Sequence, residues 1–225
     1  MGISLYDYDN PRSLGNVLRR RRGRALARLI EACRARRGRV RIVDLGGTER
    51  YWTMLGPDLL AGSNATVTIV NLHPVQGSTD GTFTHVAGDA CDLSRFADGS
   101  FDLVHSNSVI EHVGDWDKME AFARETRRLG TSYYVQTPYF WFPIEPHFRV
   151  PFFHWMPESW RLRLFMNMHL GHSKRRCSTV GEAVRLCRSA RLLDLAQMRY
   201  LFPDSAIRFE WIGPVPKSLI AIKEP

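Results

Sequence analysis

Cysteine is scarce. The four thiols of this 225-residue chain, Cys33, Cys91, Cys177 and Cys187, show neither the paired spacing that clasps zinc nor the density of a disulfide scaffold. A reducing, cytoplasmic setting is therefore expected. Long apolar runs are also missing: none approaches the roughly 18–20 residues of a transmembrane helix. The opening MGISLYDYDN has no apolar h-region, so no signal peptide is expected. Tyr6 and Asp7 stand where a myristoylation site wants serine or threonine. There is no internal repeat, no low-complexity tract and no G-x-G-x-x-G opening a helix, which argues against a nicotinamide dehydrogenase.

What is present is an ordinary globular composition, 44% hydrophobic and 24% charged, long enough to bury a sizeable core in one domain spanning 1–225. Net charge is +8, much of it between Arg12 and Arg41, including RRRRGR at 19–24. Leu14, Leu18, Leu26, Leu29, Ile30 and Cys33 fall at roughly helical spacing, so residues 12–37 are expected to form an amphipathic helix with a basic outer face. Such a face could bind an anion or RNA, but a solvated helix surface is the simpler reading. Nucleic acid is not the expected partner.

Beyond that helix the pattern alternates. RVRIVDLGG (39–47), ATVTIVNL (65–72), TFTHVAGD (82–89), FDLVHSNS (101–108) and SYYVQTP (132–138) predict strands. RYWTMLGPDLL (50–60), WDKMEAFARETRRL (116–129) and TVGEAVRLCRSA (179–190) predict helices. LLDLAQMRYLF (192–202) and KSLIAIK (217–223) predict two further strands. Strands alternating with helices imply an α/β fold with a mostly parallel sheet. Ligands of such sheets sit where strands end.

The turn VDLGGTERY is weak evidence alone. Followed in order by GDACDL and DGSFDLVHSNSVIEHV, it closely resembles the class I S-adenosylmethionine-dependent methyltransferases, in particular the bacterial type 11-like group. The resemblance covers about residues 40–137, with weaker support from KSLIAIK. It implies a Rossmann-like seven-stranded methyltransferase sheet with an antiparallel last strand, and S-adenosylmethionine as cofactor, leaving S-adenosylhomocysteine as product. It also implies roles. Asp44, Gly46, Gly47 and Thr48 would form the cofactor turn. Asn71 and Leu72 would lie where the family grips the ribose, Asp89 and Ala90 at the adenine edge, and Ser106 and Asn107 beside the methionine part. Glu111 and His112 match the family's EH. Thr48 and Arg50 replace later glycines of the family turn, and Asn71 replaces its acidic residue.

YFWFPIEPHFRVPFFHWMPESW (139–160) follows the fifth strand. Its four prolines forbid a central strand, and its aromatics forbid a flexible linker. Segment 138–177 is therefore expected to be an aromatic lid or acceptor-binding insertion on the carboxyl edge of the sheet, although its rings could equally form a satellite core. Methylation of a hydroxyl needs a base. His112, His147 and His154, with Glu111, are the catalytic candidates. The expected acceptor is a sugar, an oligosaccharide or another small molecule. HSKRR (172–176) and the aromatics admit peripheral membrane contact, and a homodimer is compatible with the sequence. EPH and HLGH contain ligand-type residues, but no spacing is diagnostic and no metal is expected. The rival reading is a methyltransferase-like module that binds an anion or RNA without turnover.

Overall fold

A computed structural model describes residues 14–56, 58–73, 77, 81–170 and 176–225. The opening decapeptide and most of HSKRR, His172 included, lie outside the described residues. So do residues 12 and 13 of the expected basic helix.

Helix α1 (Leu14–Arg37) leads into β1 (Val40–Leu45), α2 (Glu49–Leu55), α3 (Asp58–Ala61), β2 (Ala65–Asn71), β3 (Phe83–Ala87) and β4 (Phe101–Asn107). Then come α4 (Trp116–Leu129), β5 (Gly130–Pro138), α5 (Glu158–Asn167), α6 (Val180–Cys187), α7 (Leu195–Leu201), β6 (Ala206–Ile212) and β7 (Val215–Lys223). The seven strands form one sheet in the order β3-β2-β1-β4-β5-β7-β6. β1 pairs in parallel with both β2 and β4, and β2 with β3. β6 and β7 are joined through Gly213, which sits at a positive φ of 56°. A connection this short can only join antiparallel strands.

One expectation is overturned. Residues 192–202 are not a strand: they hold helix α7, and the sixth strand lies further on, at Ala206–Ile212. The cause is local. Asp194 accepts a hydrogen bond from the Gln197 amide, and the Gln197 side chain accepts one from the Asp194 amide, a complete capping box that starts a helix. Met198 and Leu201, three apart, then face inward.

The chain divides into two compact units. The first comprises residues 1–107, 125–135 and 222–225, the second residues 108–124 and 136–221. In the first, β1 is a continuous apolar run because it is covered on both faces: Val40, Ile42, Val43 and Leu45 are all buried. Leu26, Leu29, Ile30 and Cys33 of α1 are buried at helical spacing, and the helix packs on β1 and β4. Arg22 is also buried, its guanidinium donating to Oδ1 of Asn107 at 2.8 Å. Part of the arginine run thus serves the fold. Arg37 and Arg41 likewise pair with the buried Asp102.

In the second unit the aromatic run divides into buried and outward-facing rings. Phe153 and Phe165 are buried with Leu170, Cys177, Ala183 and Cys187, and Phe148 packs against them. Ring centroids of Phe148, Phe153 and Phe165 lie 4.8–5.3 Å apart. Trp141, Phe152 and Trp155 face outward in mutual contact. Phe148, Phe153 and Phe165 therefore make a small core of their own, and this core fixes the loop that carries His147.

Candidate functional site

Unit 1 carries the glycine turn. β1 ends on Asp44 and Leu45, and Gly46 turns the chain at a φ of 73° that only glycine adopts without strain. The Gly46 amide donates to the Val70 carbonyl at 2.8 Å, which holds the turn against β2. Asp44 is fully buried. Its carboxylate accepts from the Trp52 indole N–H at 2.7 Å and meets Nδ1 of His105 at 2.7 Å. A Cβ on Gly47 would stand 1.7 Å from Oδ2 of Asp44. The second glycine is thus required by this carboxylate as well as by the turn. Thr48 caps α2, accepting from the Tyr51 amide at 3.4 Å.

Asn71 ends β2, and its Nδ2 donates to the Gly47 carbonyl at 2.9 Å. A carboxylate could not make that bond, because it has no hydrogen to donate. Asparagine at this position ties the turn to the next strand and keeps Oδ1 as an acceptor. Leu72, next along, is exposed. Asp89 accepts from the Cys91 amide at 2.9 Å and bridges to Asp92, which shapes the turn beginning with Ala90. Ser106 is wholly buried and donates to the Leu45 carbonyl at 3.1 Å, so its hydroxyl staples β4 to β1. Asn107 accepts from Arg22, as described above. His105 and Trp52, which lock Asp44, were not among the expected site residues. Trp52 has no sequence signal beyond lying near the turn, and His105, in β4, has none.

These residues fit a cofactor carrying hydroxyls and an adenine edge. The turn has glycine at both close-approach positions, Asn71 offers an acceptor, and Asp89 heads an ordered turn.

Unit 2 carries the ionisable groups. Glu111 and His112 lie in a short 3-10 turn, Ile110–His112. Glu111 is buried, with Oε2 accepting from the Thr137 hydroxyl at 3.0 Å. Burial pushes its carboxyl up to about 7, against the Thr137 bond and the charge of His147, which favour ionisation. Nδ1 of His112 donates to the Ser189 carbonyl at 2.8 Å. Burial holds that imidazole below its usual range, and the charge of His147 adds to this.

His147 follows from its loop. Glu145 is buried; its carboxylate accepts from Nδ1 of His147 at 2.7 Å and from the Phe148 amide at 2.5 Å. Burial lowers the affinity of His147 for a proton, but the bond and charge of Glu145, aided by Glu111, outweigh it and hold the imidazole above its usual range. The rings of His112 and His147 meet edge to face at 4.7 Å. A donor atom from each of Glu111, His112 and His147 lies within 4.8 Å of the others. Glu145 went unassigned in the sequence, although an acid two residues before a histidine was the available signal.

His154 is not part of this group. Its Nε2 donates to the Phe140 carbonyl at 2.6 Å, and the Trp155 indole donates to the same oxygen. Burial holds it below its usual range. It braces the segment apart from the other three catalytic candidates. Unit 2 also contains a cavity of about 780 Å³ lined by Phe140, Glu145, Phe148, Arg161, Arg191 and Asp194, among others, within the usual range for a small-molecule pocket.

Comparison with known proteins agrees with the sheet. Residues 47–132 match the family model described as a methyltransferase domain. Among solved structures, the N-terminal domain of EvdMO1, crystallised in the presence of S-adenosylhomocysteine and D-fucose, aligns at 15% identity and a TM-score of 0.51, covering 97% of this chain and 84% of that one. A protein of Bordetella parapertussis aligns at 16% identity and a TM-score of 0.54, covering 94% of this chain and 68% of that one. An O-methyltransferase family protein of Burkholderia thailandensis aligns at 13% identity and a TM-score of 0.50, covering 96% of this chain but only 60% of that one. No curated protein matches the chain. The chain carries a methyltransferase domain across residues 47–132, on the fold of the class I S-adenosylmethionine-dependent methyltransferases, and S-adenosylmethionine is the cofactor of that class.

Proposed function

We propose that this chain methylates a hydroxyl group on a sugar-like or other small acceptor. In this reading Gly46, Gly47, Asn71 and Asp89 hold the cofactor, and Glu111, His112 and His147 serve the acceptor. When bound, S-adenosylmethionine supplies a methyl group on sulfonium sulfur: the acceptor oxygen forms the new O–C bond, the S–C pair stays on sulfur, and the hydroxyl proton is released. The protein's part is alignment of the acceptor and management of that proton.

One observation carries the choice of oxygen over nitrogen or carbon. Glu111, His112 and His147 meet; burial brings the Glu111 carboxyl up to about 7, and Glu145, against burial, holds His147 above its usual range. A neutral amine needs no such group, whereas an alcohol must lose a proton as it attacks. Both imidazoles are pinned through Nδ1, by Glu145 and by the Ser189 carbonyl, which leaves Nε2 of each for chemistry. The EvdMO1 domain and the Burkholderia protein support the same reading through the sugar and the O-methyltransferase in their descriptions. Segment 138–177 serves as the acceptor-binding insertion, with its outward tryptophans available to stack on sugar rings.

The test is transfer of isotopically labelled methyl to a panel of sugars, glycosides and phenols, followed by mass analysis of the linkage. His147→Ala should lower turnover at least 100-fold while S-adenosylhomocysteine affinity changes less than threefold. Asp89→Ala should do the reverse, weakening the cofactor first. Methylated nitrogen with hydroxyls untouched, or full turnover in His147→Ala, would overturn the assignment.

A further inference from the structure

Metal-binding histidines have a recognisable support. One ring nitrogen takes the ion, while the other donates its hydrogen to a carboxylate or a backbone carbonyl, which fixes the tautomer and the ring direction. Both kinds of support occur here. Nδ1 of His147 donates to the buried carboxylate of Glu145 at 2.7 Å, and Nδ1 of His112 donates to the Ser189 carbonyl at 2.8 Å. The 3-10 turn bearing Glu111 is tied to the same segment, the Arg191 amide donating to the Glu111 carbonyl at 2.7 Å. The third ligand candidate is a carboxylate 1% exposed, whose Oε1 is buried without a hydrogen-bond partner among the described residues. A buried carboxylate oxygen left in this way is costly unless something fills the place.

We infer that Glu111, His112 and His147 bind a divalent first-row transition metal ion, of the zinc, cobalt or manganese class, through Oε1 and the two Nε2 atoms. Donor atoms now within 4.8 Å of one another need to close by about 1 Å to reach metal–ligand bonds of roughly 2.0–2.2 Å. One exposed imidazole, His112, can supply much of that movement. Two imidazoles and one carboxylate select against magnesium and calcium, which take oxygen ligands almost throughout. Three protein ligands leave positions open, so the ion is of the catalytic kind. The site stands on this geometry alone. Its role rests on the O-methylation reading: an acceptor hydroxyl at an open position would be oriented and made more acidic by the ion. Sequence spacing concealed the group, because His147 lies 35 residues after His112.

The experiment is calorimetric titration of the whole chain with zinc chloride, together with visible absorption on adding cobalt(II), with neither methyl donor nor acceptor present. Binding of one ion with a dissociation constant in the micromolar range or tighter is expected, along with cobalt d–d bands of a nitrogen- and oxygen-ligated site. His112→Ala, at an exposed position, and Glu111→Gln should each weaken binding at least tenfold, with circular dichroism unchanged. Absence of stoichiometric binding up to millimolar metal would overturn the inference. So would binding that both variants leave intact. Failure to methylate any hydroxyl would count against the function proposed above but would not alter this metal result.

Discussion

Gly47 shows how far one hydrogen atom matters at the turn. Its side of the chain is filled by the Asp44 carboxylate, itself held by Trp52 and His105. An alanine there must move a buried carboxylate away from two hydrogen-bond donors, and each such bond is worth about 1.5–3 kcal/mol. Gly47→Ala should therefore lower the melting temperature and weaken S-adenosylhomocysteine binding at least tenfold, read by thermal denaturation and calorimetry. Unchanged affinity would show that the turn tolerates a displaced Asp44. At this scale the sequence was legible where a motif has a fixed order: Asp44, Gly46, Gly47 and Asp89 could be picked out. It was silent on what the side chains do. Asn71 looks like a lost acidic residue in the sequence. In the structure it donates to Gly47, a role that needs an amide. His105 could not be found, because its partner Asp44 is 61 residues away.

Elements were legible where periodicity is strong and flanked by clear stops. α4 follows the spacing of Met119, Phe122, Ala123 and Leu129, all buried. Residues 192–202 hold α7 instead of the expected strand because the capping box at Asp194 and Gln197 starts a helix there. The segment after β5 offered no period at all, so nothing in the sequence separated buried Phe153 from outward-facing Trp141, Phe152 and Trp155. His154 and Trp155 clamp the Phe140 carbonyl within it. Burial of His154, which outweighs the opposing effect of its bond to Phe140, gives the element a pH dependence. The folded state disfavours the charged imidazole, so the unfolded chain binds more protons at acid pH. Stability from this group is full above the unfolded pKa near 6.5 and falls as pH drops through 6.5 toward the lower folded value. His154→Gln keeps a donor for Phe140 without titrating. Between pH 7.5 and 5.5 the variant should lose less melting temperature than the parent chain. Parallel losses would place the acid sensitivity elsewhere.

At the scale of the whole molecule, a seven-stranded, mostly parallel sheet follows from alternating strands and helices together with a motif series read in sequence; its strand order does not. The grouping of the ionisable side chains was not legible. Glu111, His112, Glu145 and His147 come from separate segments of unit 2, and only the turn containing Glu145 and the 3-10 turn at Ile110–His112 bring them together. The residues proposed above for the cofactor, by contrast, all lie in unit 1. A ligand that binds only the folded state stabilises it by RT ln(1 + [L]/Kd), about 2.7 kcal/mol at a hundredfold excess over Kd. For a chain of 225 residues, 1 kcal/mol corresponds to about 2–4 °C. S-adenosylhomocysteine at that excess should therefore raise the melting temperature by about 5–10 °C, while NAD at equal concentration should leave it within 1 °C. The shift should persist in His147→Ala, whose substitution lies in unit 2, and shrink in Asp89→Ala at matched ligand concentration. An equal response to NAD, or none to the sulfur ligand, would mean that the turn at Gly46 and Gly47 no longer holds the cofactor, leaving an anion- or RNA-binding module as the better description.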